Sequence, residues 1–259
     1  MALMTSYKTI RVDDAADVVK LVFTRPPVNV LNIEMMEEIN DALAQLQHHP
    51  TAKVLVITAE GKAFSAGVDV ADHTADRIDK MMHEFGRVFQ LLHALTIPTV
   101  AAVDGAALGG GCEVALACDI ILASEKAKFG QPEIVLGVFP PVAAAIMPEF
   151  IGRSRTLALL LTGEVIPAAQ AEKMGLVYKV FPADAYAAGV DAFIQSLTAK
   201  SKVILELTKR AVDGGFGLSR PDAIAQAEHL YMGEMMATAD AHEGLQAFLE
   251  KRAPVWQNK

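Results

Sequence analysis

The sequence predicts an α/β protein whose last part is purely helical. Short strands rich in β-branched residues alternate with helices over roughly the first 180 residues, which is typical of layered α/β folds. Roughly the last 60 residues carry helical patterns only. With 259 residues, 52% of them hydrophobic and 21% charged, the chain can form one large domain or one domain with an appendage.

Each element is predicted from its local pattern. The predicted strands are short and β-branched, the first two form a hairpin, and they cover residues 7–12, 18–23, 53–58, 99–103, 119–123 and 177–180. The predicted helices follow capping residues, glycines or prolines, and they cover residues 32–48, 76–95, a segment after the glycines at 109–111, 142–150, 153–162, 167–174 and the chain from about 183 to its end. Asn32 is the expected N-cap of the first helix.

Composition and charge exclude several classes of function. The net charge is −8, from 23 basic and 31 acidic residues, which argues against nucleic acid as the main ligand. The two cysteines, Cys112 and Cys118, form neither a disulfide framework nor a metal-ligand pattern. The N-terminal sequence resembles no leader, and no apolar run approaches the roughly 18 residues of a membrane span. We therefore expect a cytoplasmic protein without a metal site.

The most informative segment is a strand that leads through three glycines into a helix. Gly109, Gly110 and Gly111 follow the strand at 99–103, and Glu113 falls in the first helical turn. Glycines let the backbone approach a ligand closely, and the free N–H groups of a helix start suit a developing oxyanion. A flexible connection with a simple electrostatic cap at Glu113 explains the same pattern.

A second loop, residues 61–69, has the same character. It also follows a β-branched strand, contains small residues and can present a backbone N–H. Two converging N–H groups are what a thioester carbonyl needs to become an enolate, and each donor contributes about 3–4 kcal/mol. Glu133 is a candidate second carboxylate, because moving protons between oxygen and carbon calls for acid and base groups. On its own, a glutamate after a proline, as at Glu133, is also typical of a surface turn.

Five segments together resemble the enoyl-CoA hydratase/isomerase (crotonase) superfamily. They occur in the family's order and spacing, and they are Pro26-Pro27-Val28-Asn29-Val30-Leu31-Asn32, Ala63-Phe64-Ser65-Ala66-Gly67-Val68-Asp69, Gly105-Ala106-Ala107-Leu108-Gly109-Gly110-Gly111-Cys112-Glu113, Phe129-Gly130-Gln131-Pro132-Glu133 and the segment from Gly244 to Arg252.

The resemblance implies a spiral of ββα units over residues 1–200 and a helical oligomerisation region over residues 201–259. It implies a homotrimer or a dimer of trimers. It also implies that the backbone N–H groups of Val68 and Gly110 form an oxyanion hole, and that Glu113 and Glu133 hold the water that adds to an enoyl-CoA. Coenzyme A then enters as part of the substrate, and no other cofactor is needed.

The resemblance further implies a set of residues that bind the substrate or its coenzyme A portion. They are Ala63, Ala66, Gly67, Asp69, Val70, Gly109, Pro132, Pro141, Val142, Met232, Phe248 and Lys251. Ala71 replaces a lysine that often binds the coenzyme A phosphates in the family, so we expect Lys251, supplied by a neighbouring subunit, to take that role. Asp69 is expected to cap a helix start rather than to act as an acid.

One segment departs from the family. A glycine-rich stretch usually follows the Glu133 segment, whereas this chain has Phe139-Pro140-Pro141-Val142-Ala143. Proline and alanine stiffen the backbone and add bulk where the acyl group should lie. This pattern resembles the branch of cyclic dienoyl-CoA hydratases of anaerobic aromatic degradation, so either a cyclic or a linear acyl group remains open.

Three other functions compete with hydration. A double-bond isomerase would move a proton with one carboxylate and no water. A serine hydrolase would use Ser65, because Ala63-Phe64-Ser65-Ala66-Gly67 resembles a nucleophile elbow. A non-catalytic acyl-CoA-binding or RNA-binding relative is the third possibility; the two glutamates disfavour the first kind and the acidic charge disfavours the second.

Overall fold

The computed structural model describes residues 6–259. The strands are β1 Ile10–Ala15, β2 Val18–Phe23, β3 Val54–Ala59, β4 Ala63–Ser65, β5 Thr99–Val103, β6 Ala106–Leu108, β7 Ile120–Ser124, β8 Lys128–Gly130, β9 Val165–Pro167 and β10 Lys179–Phe181. The helices are α1 Ile33–Leu46, α2 Ile78–Ala94, α3 Gly110–Leu116, α4 Pro141–Thr162, α5 Ala168–Met174, α6 Tyr186–Thr198, α7 Lys202–Gly215, α8 Arg220–Gly233 and α9 Ala239–Glu250, and short 3-10 turns cover Val70–His73, Pro132–Leu136 and Met235–Ala237.

The strands form two sheets. The larger has the order β1-β2-β3-β5-β7-β10, in which β1 and β2 are antiparallel and the other neighbours parallel. The smaller has the order β4-β6-β8-β9, with only the β8–β9 pair antiparallel. A strand of the large sheet, a short strand of the small sheet and a helix recur as β3-β4-α2, β5-β6-α3 and β7-β8-α4. This repeat is the expected spiral of ββα units.

Alternating side chains of the central strands enter two separate cores. Leu55 and Ile57 of β3 pack in the large core with α1, α2 and α3, whereas Val54 and Val56 pack against α6. Because successive side chains of a strand point to opposite faces, a strand covered by helices on both faces must be apolar throughout. This explains why the central strands read as continuous apolar runs.

Helix α1 begins where the sequence predicts. The side chain of Asn32 accepts a hydrogen bond from the backbone N–H of Met35 at 3.1 Å, as an N-cap does. The apolar residues Met35, Ile39 and Leu43 of α1 are fully buried. The N-terminal hairpin is also confirmed, although its turn consists only of Ala16 and Asp17.

Several predicted boundaries are wrong. Strands β4, β6, β8 and β9 lie in segments predicted as loops, turns or helix ends, because strands of three residues show no measurable periodicity. The strand predicted at 177–180 is β10, which starts at Lys179. By contrast, the helices predicted at 142–150 and 153–162 are confirmed as the two halves of α4, which is interrupted at Gly152, where φ is 76° and ψ is 156°.

The chain is not helical to its end. After α9, Lys251 adopts a left-handed conformation with φ 55°, and residues 252–259 return along the helix. The buried carboxylate of Asp240 accepts hydrogen bonds from the backbone N–H groups of Gln257 and Asn258 at 2.7 and 2.8 Å. The backbone of the tail is thus satisfied by α9 itself, which helical periodicity alone could not reveal.

The C-terminal helices pack on one another more than on the sheets. Helix α8 lies against α7, and α9 contacts α7 and the turn after α8. Apolar side chains on α8 and α9 are widely exposed, with Met232 at 70% and Phe248 at 83%. In the part of the chain that the structure describes, no helix is long and apolar enough to cross a membrane.

Candidate active site

The first corner of the site is Val68, which follows strand β4. Leu31 pairs with it as a parallel bridge: the Leu31 N–H donates to Gly67 O, and the Asp69 N–H donates to Leu31 O, both at 2.9 Å. In parallel pairing a residue bonds the two neighbours of its partner, so the partner's own N–H points to the opposite side. The Val68 N–H therefore points away from Leu31.

The second corner is Gly110, the first residue of α3. Its N–H has no acceptor within the helix because of its position at the helix start. Gly109 precedes it with φ 50° and ψ −131°, and the Gly109 N–H donates to Gly130 O at 2.9 Å. A Cβ atom on Gly67 would lie 3.6 Å from the Gly110 nitrogen, and one on Gly110 would lie 2.6 Å from Cγ2 of Val68. The two corners are therefore in contact.

Glu113 lies in the first turn of α3 and is 2% exposed. Its Oε1 accepts hydrogen bonds from the backbone N–H groups of Val142 and Ala143, both at 2.8 Å, at the start of α4. Burial, assisted by the charge of nearby Glu133, raises the pKa of the Glu113 carboxyl to about 7 although the two amide donors oppose the rise. Glu113 is thus a rigidly held carboxyl that titrates near neutrality.

Glu133 lies in the 3-10 turn after β8 and is partly exposed. A Cβ atom on Gly109 would lie 2.6 Å from its Oε1, so only glycine at position 109 leaves room for this carboxylate. Burial raises the pKa of Glu133, while its own backbone N–H and the nearby His73 oppose the rise. The glycine corner therefore lies directly beside the second carboxylate.

Gln131, for which no individual role is predicted from the sequence, is fully buried beside Glu133. When its amide nitrogen faces the surrounding acceptors, it donates to Gly109 O at 3.3 Å and to both oxygens of the Glu133 carboxylate at 3.2 Å. The signal in the sequence is only a polar residue directly before Pro132. Its partners are known only once the chain brings Gly109 close.

Most of the predicted substrate-binding residues surround these corners. Ala63, Ala66, Gly67 and Asp69 lie in the β4 segment, and Asp69 caps the turn that follows by accepting the Ala71 N–H at 3.1 Å. The remaining residues of this group lie on the adjacent turns and helix starts, and they are Val70, Gly109, Pro132, Pro141 and Val142. Val70 is 61% exposed.

Three predicted residues lie elsewhere. Met232 is on α8, Phe248 is on α9 and Lys251 follows α9, and all three are exposed. These helices pack against α7, so one chain does not gather the three residues with the loops around Glu113. A role at the site then requires a neighbouring subunit.

The structure disfavours Ser65 as a nucleophile. Its side chain is fully buried, and its Oγ accepts a hydrogen bond from the Gly67 N–H at 3.2 Å. The side chain also packs against Gly111, where a Cβ atom would collide with it. Ser65 is therefore a spacer between the two glycine corners. Within residues 6–259 no group of three or more His, Cys, Asp or Glu side chains is placed to hold a metal ion.

A largely apolar cavity of about 560 Å³ lies on the side of Val142 in helix α4. It lies between helices α2, α3, α4 and α7 and opens to solvent, and its walls include Phe89, Leu116, Ala117, Val142, Ile146 and Leu205. Val142 connects the two regions, because its N–H binds Glu113 while the residue also lines the cavity.

Comparison with known proteins identifies the family of this chain. Residues 13–259 match the family model described as enoyl-CoA hydratase/isomerase. The chain is 37% identical to a probable enoyl-CoA hydratase of Mycobacterium bovis over 98% of this chain and 100% of that protein. It is 35% identical to the cyclohexa-1,5-dienecarbonyl-CoA hydratase of Thauera aromatica over 93% of each.

A solved structure shows the same fold. The crystal structure of an enoyl-CoA hydratase from Bacillus anthracis superposes with a TM-score of 0.92, at 30% identity, over 97% of this chain and 100% of that one. Its coverage includes the ββα spiral and the C-terminal helices. This chain belongs to the enoyl-CoA hydratase/isomerase family, as an enzyme of the hydro-lyase type.

Proposed function

We propose that this enzyme adds water across the α,β double bond of an enoyl-CoA thioester. The observation that carries the proposal is the meeting of two pairs of groups in one place. The Val68 and Gly110 corners touch each other. Glu133 lies against Gly109, the residue that joins β6 to Gly110. Donors for one oxygen and two carboxyls for one water are the groups that hydration requires.

The two backbone N–H groups act on the thioester oxygen. As water adds to Cβ, electrons move onto this oxygen and an enolate forms. Val68 and Gly110 donate hydrogen bonds to the developing negative charge, and each such donor contributes about 3–4 kcal/mol to transition-state stabilisation. Gly110 adds the positive end of the α3 dipole.

The two glutamates handle the protons. One carboxylate takes a proton from the water as the oxygen bonds to Cβ, and a carboxylic acid delivers a proton to Cα, so the pair carries the same number of protons before and after turnover. The pKa values of both glutamates are raised, mainly by burial, which supports a pair that keeps one proton near neutral pH.

The acyl group is proposed to be cyclic and conjugated, such as a cyclohexa-1,5-diene-1-carbonyl group. Pro141 and Val142 add bulk in place of glycines, and the Thauera aromatica relative is named for such a substrate. Beyond coenzyme A as part of the substrate, the reaction needs no cofactor. The exposed apolar side chains of α8 and α9 support self-association through residues 201–259. We propose that the assembly is a homotrimer or a dimer of trimers and that the enzyme is cytoplasmic.

Isotope incorporation tests the reaction type. The purified protein is incubated in H₂¹⁸O with linear crotonyl-CoA and, in parallel, with a cyclic dienoyl-CoA, and the products are analysed by mass spectrometry. We expect ¹⁸O-labelled hydroxyacyl-CoA, formed faster from the cyclic substrate. A shifted double bond without label would identify an isomerase and contradict the proposal, whereas faster labelling of the linear product would contradict only the assigned acyl group.

A further inference from the structure

Residues 25–31 form a connecting segment. The loop of residues 66–69, which contains Val68, is hydrogen-bonded to it. Besides the two hydrogen bonds between Leu31 and the neighbours of Val68, the Ala66 N–H donates to Val28 O at 2.9 Å. Three backbone hydrogen bonds thus fix residues 66–69 to this segment. The direction of the Val68 N–H therefore depends on how rigidly the connecting segment itself is held.

The side chain of Asn29 is the centre of the connecting segment. It is fully buried, and its Oδ1 accepts a hydrogen bond from the Arg25 N–H at 2.9 Å. Its Nδ2 donates to Glu60 O and to Ala63 O, both at 2.8 Å. One amide therefore joins the end of β2, the end of β3 and the first residue of β4, from which the chain runs directly to Val68.

A second link, nearer the protein surface, joins the connecting segment to the loop of residues 66–69. The Arg25 guanidinium donates from Nη1 to Val30 O at 2.9 Å, and its Nη2 lies 3.6 Å from a carboxylate oxygen of Asp69. Asp69 directly follows Val68. This ion pair is partly exposed, so we expect it to hold the loop more weakly than the buried amide does.

We propose that Asn29 is a positioning residue whose side-chain amide aims the Val68 N–H at the thioester oxygen. This inference rests on the proposed hydratase function. Asn29 touches neither the substrate nor the reacting atoms, and it acts only by fixing the distance and direction of one of the two donors. Losing one such donor entirely costs about 10²–10³-fold in kcat, so a loosened donor should cost less.

Glycine is the informative substitution at this position. Asn29 has φ 51°, a left-handed conformation that glycine adopts without strain. Asn29→Gly therefore removes the side-chain amide and leaves the left-handed backbone conformation at this position unstrained. We expect kcat to fall about 10–10²-fold with KM within about threefold, because the lost interaction forms mainly in the transition state.

A spectroscopic readout separates positioning from stability. An enoyl-CoA conjugated to a dialkylamino-phenyl ring should shift its absorption to the red when both donors polarise its carbonyl. We expect saturating Asn29→Gly protein to produce a smaller red shift than the wild type. A kcat and red shift equal to those of the wild type, below the melting temperature of both proteins, would overturn the inference.

Asn40 provides the matched control. It is also buried, and its Nδ2 donates at 2.9 Å to the backbone oxygen of Glu84. This bond joins α1 to α2 and does not involve the loop of residues 66–69. Asn40→Ala should lower the melting temperature while keeping kcat and the red shift. An equal loss of kcat and red shift in this control would show a general effect of buried asparagines and overturn the specific role.

A milder variant covers the case in which Asn29→Gly does not fold. Arg25→Met removes the outer link and keeps the apolar stem; it should reduce kcat about two- to fivefold together with the red shift. No change in either would overturn the inference. Since the isotope experiment on the wild type tests hydration itself, labelled product from the wild type together with an unaffected Asn29→Gly enzyme refutes only the positioning role.

Discussion

The two carboxylates of the site are held in contrasting ways. Glu113 is on a regular helix, is 2% exposed and receives two backbone hydrogen bonds from the start of α4. Glu133 is partly exposed and is on a short 3-10 turn that also carries exposed Val135 and is followed by exposed Phe139. Two carboxyls in different surroundings acquire different proton affinities, and in the proposed mechanism this difference lets one pair serve as both acid and base.

Removing either carboxylate is the most severe way to break this contrast. Glu113→Gln and Glu133→Gln keep size and shape but cannot exchange the proton, so each should lower the rate of hydration by at least about 10²-fold. The measurement is the initial loss of enoyl absorbance with saturating substrate. If either variant retains near-normal kcat, the pair does not share the water.

Moving Glu133 without changing it is the next test. A Cβ atom on Gly109 would lie 2.6 Å from Glu133 Oε1, so Gly109→Ala should displace the carboxylate and lower kcat about 10–10²-fold. Gly217→Ala is the control, because Gly217 also has a positive φ, of 76°, but no atom lies near its added Cβ. Equal losses in the two variants would assign the effect to backbone strain instead of to Glu133.

Glu113, the buried member of the pair, should also make the stability of the protein depend on pH. The pKa of Glu113 rises from 4.5 to about 7 on folding, so its contribution to the free energy of unfolding is fully present below about pH 4.5 and is lost as the pH rises through 7. Glu113→Gln cannot ionise. Its free energy of unfolding relative to the wild type should therefore rise by up to about 3 kcal/mol between pH 4.5 and 8.

Urea unfolding at several pH values measures this difference. The matched variant is Glu133→Gln, whose relative stability should rise less over the same range because Glu133 is more exposed. A larger rise for Glu133→Gln than for Glu113→Gln would reverse the assignment of the more strongly buried carboxyl.

The smallest expected effect lies away from both carboxylates. Lys251 is exposed and is proposed to reach the coenzyme A phosphates of a neighbouring subunit. Lys251→Ala should raise KM about two- to fivefold at low salt without changing kcat, because exposed ion pairs are weak and screened. Lys173→Ala, at another exposed lysine, should change neither value. A fall in kcat for Lys251→Ala would contradict this role and place Lys251 near the acyl group of the substrate.

Local sequence predicted the parts of the site that local chemistry determines. The start of α3 with Glu113 in its first turn, the Asn32 cap and the Asp69 cap are all at their predicted positions. The short strands of the second sheet were missed because pairing with distant segments, not their own pattern, makes them strands.

Contacts between distant segments explain the rest. The role of Gln131 depends on Gly109 and Glu133 meeting at its amide, and that of Asn29 on three chain segments converging. Neither pattern is periodic, so only the folded chain reveals it. The placement of Glu133 beside the glycine corner was expected from the family resemblance and not from the spacing of 20 residues between positions 113 and 133.

The most direct test of the central claim is a crystal structure of the enzyme with a saturated acyl-CoA that cannot be hydrated. Two amides should hold the thioester oxygen while two carboxyls hold one water. We predict that oxygen about 2.7–3.1 Å from the nitrogens of both Val68 and Gly110, with a water within hydrogen-bonding distance of both Glu113 and Glu133. A thioester oxygen turned away from either amide, or two carboxyls with no shared water, would contradict the account.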